Sequence, residues 1–168
     1  MIIKSMYTLG GNVPLKILVE AMCDIEKRPE WDKKVLSARV LNEYSKHLAV
    51  YHTVVYFPWI QNRDFVEKRL VFEHGDTVYF YYSSIDDSFC PISKEFTRGY
   101  TIFSVNKMRK VGDTIFVHTC TQKNIQIPLS SLVTPSSVGS RAATGMEEFR
   151  AQLIGRIEQV LKDKGNHK

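Results

Sequence analysis

The chain has 168 residues and is short of several things, and each shortage removes a class of function. Its three cysteines, Cys23, Cys90 and Cys120, are scattered and odd in number. They offer no disulfide framework, no CxxC redox pair and no zinc knuckle, and they suit a reducing, cytoplasmic compartment. No stretch approaches the ~20 consecutive apolar residues of a membrane span. The opening Met1-Ile2-Ile3-Lys4-Ser5 has neither the apolar run nor the small-residue cleavage site of a secretory signal. There is no Gly-rich phosphate loop and no nucleophile elbow. The histidines, His47, His52, His74, His118 and His167, show no metal-ligand spacing, so neither a metal nor another cofactor is expected. Basic residues outnumber acidic ones, 23 to 18, for a net charge of +5. They are dispersed rather than striped with exposed aromatics, which argues against nucleic acid as a partner. Weak attraction to an anionic surface remains.

What is present is enough apolar content, 43%, to build one core, and the whole of 1–168 is expected to be one domain. The longest pattern closes the chain, from Ser136 to Lys164. Val138, Ala142, Met146, Phe149, Leu153, Ile154, Ile157, Val160 and Leu161 recur at steps of three and four, forming one stripe on a helix. Arg141, Glu147, Glu148, Arg150, Gln152, Arg156, Glu158, Lys162 and Lys164 take the other face. Thr134-Pro135-Ser136-Ser137 supplies start signals and Gly165 a stop. At ~1.5 Å per residue such a helix is roughly 40 Å long and reaches across the mouth of a curved sheet. Gly139, Gly145 and Gly155 each cost about 1 kcal/mol against alanine in a helix interior. They read either as close packing or as a helix able to bend or lift.

Ahead of it, Met1 to Leu9 reads as a strand and Gly10-Gly11-Asn12 as its end. Asn12 is a cap candidate, with Pro14 in the first turn of a helix over Val13 to Asp24. A second short helix is expected near Ile25 to Glu30, since Pro29 disfavours one continuous helix. From Lys33 the period becomes two. Three hairpins follow, turning at Glu43-Tyr44-Ser45-Lys46, at His74-Gly75-Asp76 and at Val111-Gly112-Asp113. Pro58 to Asn62 interrupts the sheet, Asp86 to Ile92 is a loop, and Pro128 and Pro135 bracket the connector to the last helix. The order is strand, helices, six antiparallel strands and a long helix. It predicts an α+β helix-grip fold, a curved antiparallel sheet with a C-terminal amphipathic helix over an internal hydrophobic tunnel.

Within that frame, Met146, Phe149, Leu153 and Ile157 are expected to line the tunnel from the helix side. His52 and His118 lie in strands among apolar neighbours and read as pocket walls. In Arg63-Asp64-Phe65-Val66-Glu67-Lys68-Arg69, period two puts Arg63, Phe65, Glu67 and Arg69 on one face and Asp64, Val66 and Lys68 on the other. An arginine facing a cavity needs an acid, water or a ligand headgroup. A salt-bridged edge strand is the alternative. Phe57, Trp59 and Ile60, beside Gln61, Asn62 and Arg63, have the make-up of an interfacial membrane anchor.

Pro29-Glu30-Trp31-Asp32, then Arg63-Asp64-Phe65-Val66 with Arg69, then Arg98-Gly99-Tyr100, then Pro128 before an amphipathic helix, together resemble the START (steroidogenic-acute-regulatory-related lipid-transfer) domain family. The resemblance runs from Met1 to Leu161. It implies a lipid-sized tunnel, no covalent chemistry, no metal, and a gate formed by the 57–62 loop opposite the last helix. The family's domains carry a helix and two strands ahead of the strand that begins here, so a short or N-terminally truncated member is expected. Sterol-binding members pair the arginine matching Arg69 with an acid on the preceding strand. Here that strand reads His52-Thr53-Val54. Arg69, with Arg98, is therefore expected to meet an anionic headgroup, favouring a phospholipid over a sterol. The family's glycine before Pro128 is also replaced.

The expected function is non-catalytic lipid binding and transfer by a monomer that is cytoplasmic and peripheral to membranes, with lipid and a transient membrane surface as its partners. The alternatives are a lipid-sensing regulatory domain, or a hydrolase- or cyclase-type enzyme on the same scaffold using His52, His118 or Glu95 as acid or base.

Overall fold

The computed structural model describes residues 2–58, 60–127 and 135–165, with side chains from residue 144 onward in the last segment. Eight strands form one sheet: β1 (Ile2–Leu9), β2 (Val35–Ser45), β3 (Leu48–Val55), β4 (Arg63–His74), β5 (Thr77–Ser84), β6 (Thr97–Arg98), β7 (Tyr100–Val111) and β8 (Thr114–Asn124). Helices α1 (Leu15–Cys23) and α2 (Arg28–Trp31) follow β1, and α3 (Pro135–Gly165) closes the described chain.

The strand order β1-β8-β7-β5-β4-β3-β2 is the expected meander with β1 returned to its far end, antiparallel to β8. Three tight turns make the hairpins. Gly75 and Gly112 hold positive φ of 59° and 56° in the second and third, a conformation costly for other residues. Tiny β6 runs parallel to the start of β4, pairing Arg63 with Thr97 and Asp64 with Arg98. At Gly99 the backbone amide donates to the Asp64 carbonyl at 2.8 Å, and a Cβ would run into the Phe65 ring.

The N-terminal turn differs from expectation. Gly11 and Asn12 both have positive φ, 90° and 52°, Pro14 occupies the cap position of α1, and the Asn12 Oδ1 accepts from Lys110 Nζ at 3.2 Å. Asn12 is thus a turn residue tying the β1 end to β7, not a helix cap.

The core sits between the sheet and the helices. Leu9, Ile17, Leu18, Ala21 and Met22 meet Val71, Val78, Phe80, Met108, Ile115 and Val117 from the sheet and Leu153, Ile157 and Val160 from α3. The α3 stripe holds over the described side chains except at Leu161, which is exposed. Val138 and Ala142 lie outside the described side chains, and the connector with Pro128 lies outside the described residues. The polar groups of α3 reach other elements. Lys34 pairs with Glu148 at 3.1 Å, Arg156 with Asp24 at 3.1 Å, and Lys164 with Glu20 at 2.7 Å, while the Arg150 Nε donates to the Thr8 carbonyl at 2.8 Å. These contacts fasten α3 to α1, to β1 and to the start of β2. Among the described residues no helix is long and apolar enough to cross a membrane.

Candidate functional site: a two-sided cavity under α3

One end of the curved sheet is filled by α1 and the C-terminal half of α3. The other end is hollow. A cavity of about 300 Å³ opens there, and period two decides what lines it. Tyr51, Thr53 and Val55 enter from β3, Glu67 from β4, Tyr82 from β5, Ser104 and Asn106 from β7, and Thr119, Thr121 and Lys123 from β8. Tyr7 comes from β1, and Met22, Ile25, Arg28 and Val35 from the helical corner. Met146 and Phe149 close it from α3.

The cavity has one apolar and one polar wall. Met146, Phe149, Met22, Ile25, Val35 and Val55 supply the first. In the second, Glu67 accepts from the Thr101 hydroxyl and pairs with Lys123 at 3.2 Å, and the Lys123 ammonium lies 4.5 Å from the Phe65 ring centre. Tyr51 and Tyr82 meet edge to face at 6.3 Å between ring centres. Burial pushes the Tyr7 phenol up to about 12, and it pushes Tyr51 and Tyr82 well above the ordinary phenol value. All three are neutral hydroxyls at physiological pH. Arg28 is also in the lining, its Nε donating to Asp32 at 2.8 Å.

The residues expected at the site separate into two groups. Met146 and Phe149 line the cavity, while Leu153 and Ile157, one and two turns further on, are buried in the core instead. His118 does not face the interior. It is exposed on the outer face of β8, in register with Met6 and Lys107, because its neighbours Val117 and Thr119 take the inward positions. His52 also points outward from β3, between the inward Tyr51 and Thr53, and its Nε2 lies 3.1 Å from the Asp64 Oδ2. Arg98 donates to the same Asp64 oxygen at 2.9 Å, to Asp87, and to the Cys90 carbonyl at 2.9 Å. It is a buried structural arginine that pins the 85–91 loop to the back of the sheet, and it does not line the cavity.

Arg69 does face inward with Arg63, Phe65 and Glu67, as the period predicts, but it lies outside the cavity lining. Its guanidinium donates to the Cys23 carbonyl at 2.7 Å and the Lys46 carbonyl at 3.5 Å, binding the end of α1 to the β2–β3 turn. Arg69 and Arg98, expected to meet a headgroup, are thus absent from the cavity lining, and their terminal nitrogens donate to acceptors within the protein, while the Nε of each is buried without a hydrogen-bond partner. Arg63 behaves alike, donating to the carbonyls of Gln61, Ile125 and Gln126. In the 57–62 loop, Phe57 and Ile60 are half-buried, and the Phe57 ring centre lies 5.5 Å from the Arg63 guanidinium. Trp59 lies outside the described residues. Glu95, the third candidate acid or base, is exposed and is not in the cavity lining.

The residues that sequence reasoning missed are Arg28, Tyr51, Tyr82, Tyr7 and the Glu67–Lys123–Thr101 group. Glu67 shares the inward parity of Arg69, and Tyr51 that of Thr53, so their facing was readable. Arg28 sits in a four-residue helix with no strand or stripe period to place it. Among the described residues, no group of three histidine, cysteine or acidic side chains is arranged to hold a metal.

A sheet wrapped round a cavity with a long terminal helix across it defines the helix-grip class. Residues 5–143 match the START domain family, and the chain belongs to that family. Human STARD10 superposes with a TM-score of 0.83 at 19% identity, over 98% of this chain and 68% of that one. The human StAR-related lipid transfer protein 5 gives 0.74 at 20% identity, over 94% and 76%. The Zhui aromatase/cyclase from Streptomyces sp. R1128 gives 0.65 at 10% identity, over 96% of each chain. At such identities these likenesses show the fold alone. No curated protein matches the chain in sequence.

Proposed function

We propose that the protein binds one amphipathic lipid at a time in the cavity under α3 and transfers or senses it without covalent chemistry, with a phospholipid favoured over a sterol. The observation that carries this reading is the two-sided wall. Met146, Phe149, Met22 and Ile25 suit an acyl chain, while the sheet offers hydroxyls and a lysine–glutamate pair, and Arg28 beside Phe149 an arginine, to a headgroup. A sterol has a single hydroxyl to satisfy such a wall. It would leave several buried polar groups unpaired, at a cost of about 1–3 kcal/mol each.

The cavity, about 300 Å³, is expected to be gated by α3 and the 57–62 loop. The loop, with Phe57, Trp59 and Ile60, would touch the membrane transiently during loading, and the protein would act as a monomer peripheral to it.

The test is native mass spectrometry and lipid extraction of the purified protein, followed by transfer of fluorescent phosphatidylcholine and fluorescent sterol between vesicles. A stoichiometric phospholipid and faster phospholipid transfer are expected. Sterol bound in preference would overturn the headgroup preference. An empty protein that moves neither lipid but cyclises a test substrate would replace the reading with the cyclase alternative, for which Glu67 is the acid lining the cavity.

A further inference from the structure

The polar wall is unbalanced: it is rich in donors that have nothing to donate to. Arg28 commits only its Nε, to Asp32, and both terminal nitrogens are without a partner among the described residues. The hydroxyls of Tyr7, Tyr51 and Tyr82 are likewise without a hydrogen-bond partner among the described residues, and all three side chains line the same cavity as Arg28. The acid in that lining, Glu67, is already matched by Lys123 and Thr101. The Arg28 charge reaches all three phenols, acting on each against the upward push of burial. Because burial prevails, the phenols keep their protons and remain donors.

The guanidinium is also held in place. It lies 4.7 Å from the Trp31 ring centre on α2 and 4.9 Å from the Phe149 ring centre on α3. Such contacts with aromatic faces hold a cation without using its hydrogens. What complements a fixed fork and three hydroxyl donors is a group made of acceptors, and an oxyanion is the chemical class that supplies several at one point.

We infer that Arg28, Tyr51 and Tyr82, assisted by Tyr7, form the receptor for an oxyanion headgroup, a phosphate or a carboxylate, in the lipid cavity. This rests on the lipid reading above and assigns its polar end to Arg28 in place of Arg69. The contact of Arg28 with Phe149 makes the receptor complete only when α3 is docked.

The test uses three fluorescent ligands with the same acyl chain: phosphatidylcholine, the free fatty acid and the uncharged diacylglycerol. Each is titrated into wild type, Tyr51→Phe/Tyr82→Phe and Arg28→Lys. The phenylalanine pair removes only unpartnered hydroxyls, so its melting temperature should equal or exceed that of wild type. Its affinity for an oxyanion ligand should fall on the order of tenfold or more, since hydrogen bonds to charged groups are the stronger kind, and its affinity for diacylglycerol should hold. Arg28→Lys keeps the charge and loses the fork, and it should narrow the preference for oxyanion over diacylglycerol. The ligand that suffers, phosphatidylcholine or fatty acid, tells phosphate from carboxylate. Unchanged oxyanion binding in the phenylalanine pair, or an equal loss for diacylglycerol, overturns the receptor and leaves the lipid reading standing. A wild type that binds none of the three overturns the lipid reading, and the receptor with it.

Discussion

Asp64 carries a charge in a place where water cannot reach it: its side chain is 2% exposed. Burial opposes its ionisation, but the hydrogen bonds and charges of Arg98 and His52 outweigh that, and its carboxyl is held below the ordinary range. A depressed carboxylate contributes stability that is present above its unfolded value and lost as the pH falls through the folded one. Unfolding free energy should therefore be steady above about pH 4 and decline below it. Asp64→Asn should lower stability by about 1–3 kcal/mol at neutral pH, because Arg98 keeps Asp87 but loses its charged bond to Asp64, and should flatten the acid decline. Urea denaturation across pH checks both. Arg69→Leu tests the corrected role of that arginine. It leaves the Cys23 and Lys46 carbonyls unpaired and should cost about 1–3 kcal/mol of stability, while lipid affinity per folded molecule is unchanged. Here lies the limit of the sequence at this scale. Parity announces that Arg69 turns inward, but its acceptors are backbone carbonyls, and every residue carries one of those. The neighbouring Gly99 is similar. Nothing in its surroundings in sequence announces that Phe65 presses on it, yet Gly99→Ala should cost about 1–3 kcal/mol by overpacking, read as a drop in melting temperature.

The elements were legible where one period runs long. The α3 stripe places Met146, Phe149, Leu153 and Ile157 on one side over several turns, and they do turn inward together. Why two of them line a hollow and two fill a core cannot be read from the helix. It depends on α1, whose Ile17, Leu18 and Ala21 occupy the space opposite Leu153 and Ile157. The two halves of α3 should accordingly respond differently. Leu153→Ala should destabilise by about 2–5 kcal/mol, whereas Met146→Ala enlarges a hollow that already exists and should cost well under half of that. Thermal unfolding of the two variants makes the comparison. Gly155 separates the readings of the helix glycines. A Cβ there would meet nothing within 4 Å, so packing does not require it. Gly155→Ala should stabilise the helix by about 1 kcal/mol, and slower lipid exchange at that higher stability would mark Gly155 as a point where α3 bends.

At the scale of the whole molecule, the meander followed from the hairpins because each tight turn forces its two strands together. The seat of β1 did not, since no turn connects it to β8 and only the closed shape brings them side by side. That one pairing has a temporal meaning. Ile2 is made long before its partner Gln122, and Leu9 waits for Ile115. Throughout synthesis between those points, β1 and α1 are tethered to a ribosome with their apolar sides, Leu9, Ile17 and Leu18, uncovered. Such long-range closures belong to the slow, millisecond-to-second class of folding, and stretches left waiting invite misassembly. A nascent chain arrested within β7 should be cut freely by protease in residues 2–23, and one released after α3 should resist. The growing polypeptide would then be a client for whatever chaperone meets it at the exit tunnel, and β1 with α1 would be the part most in need of shelter.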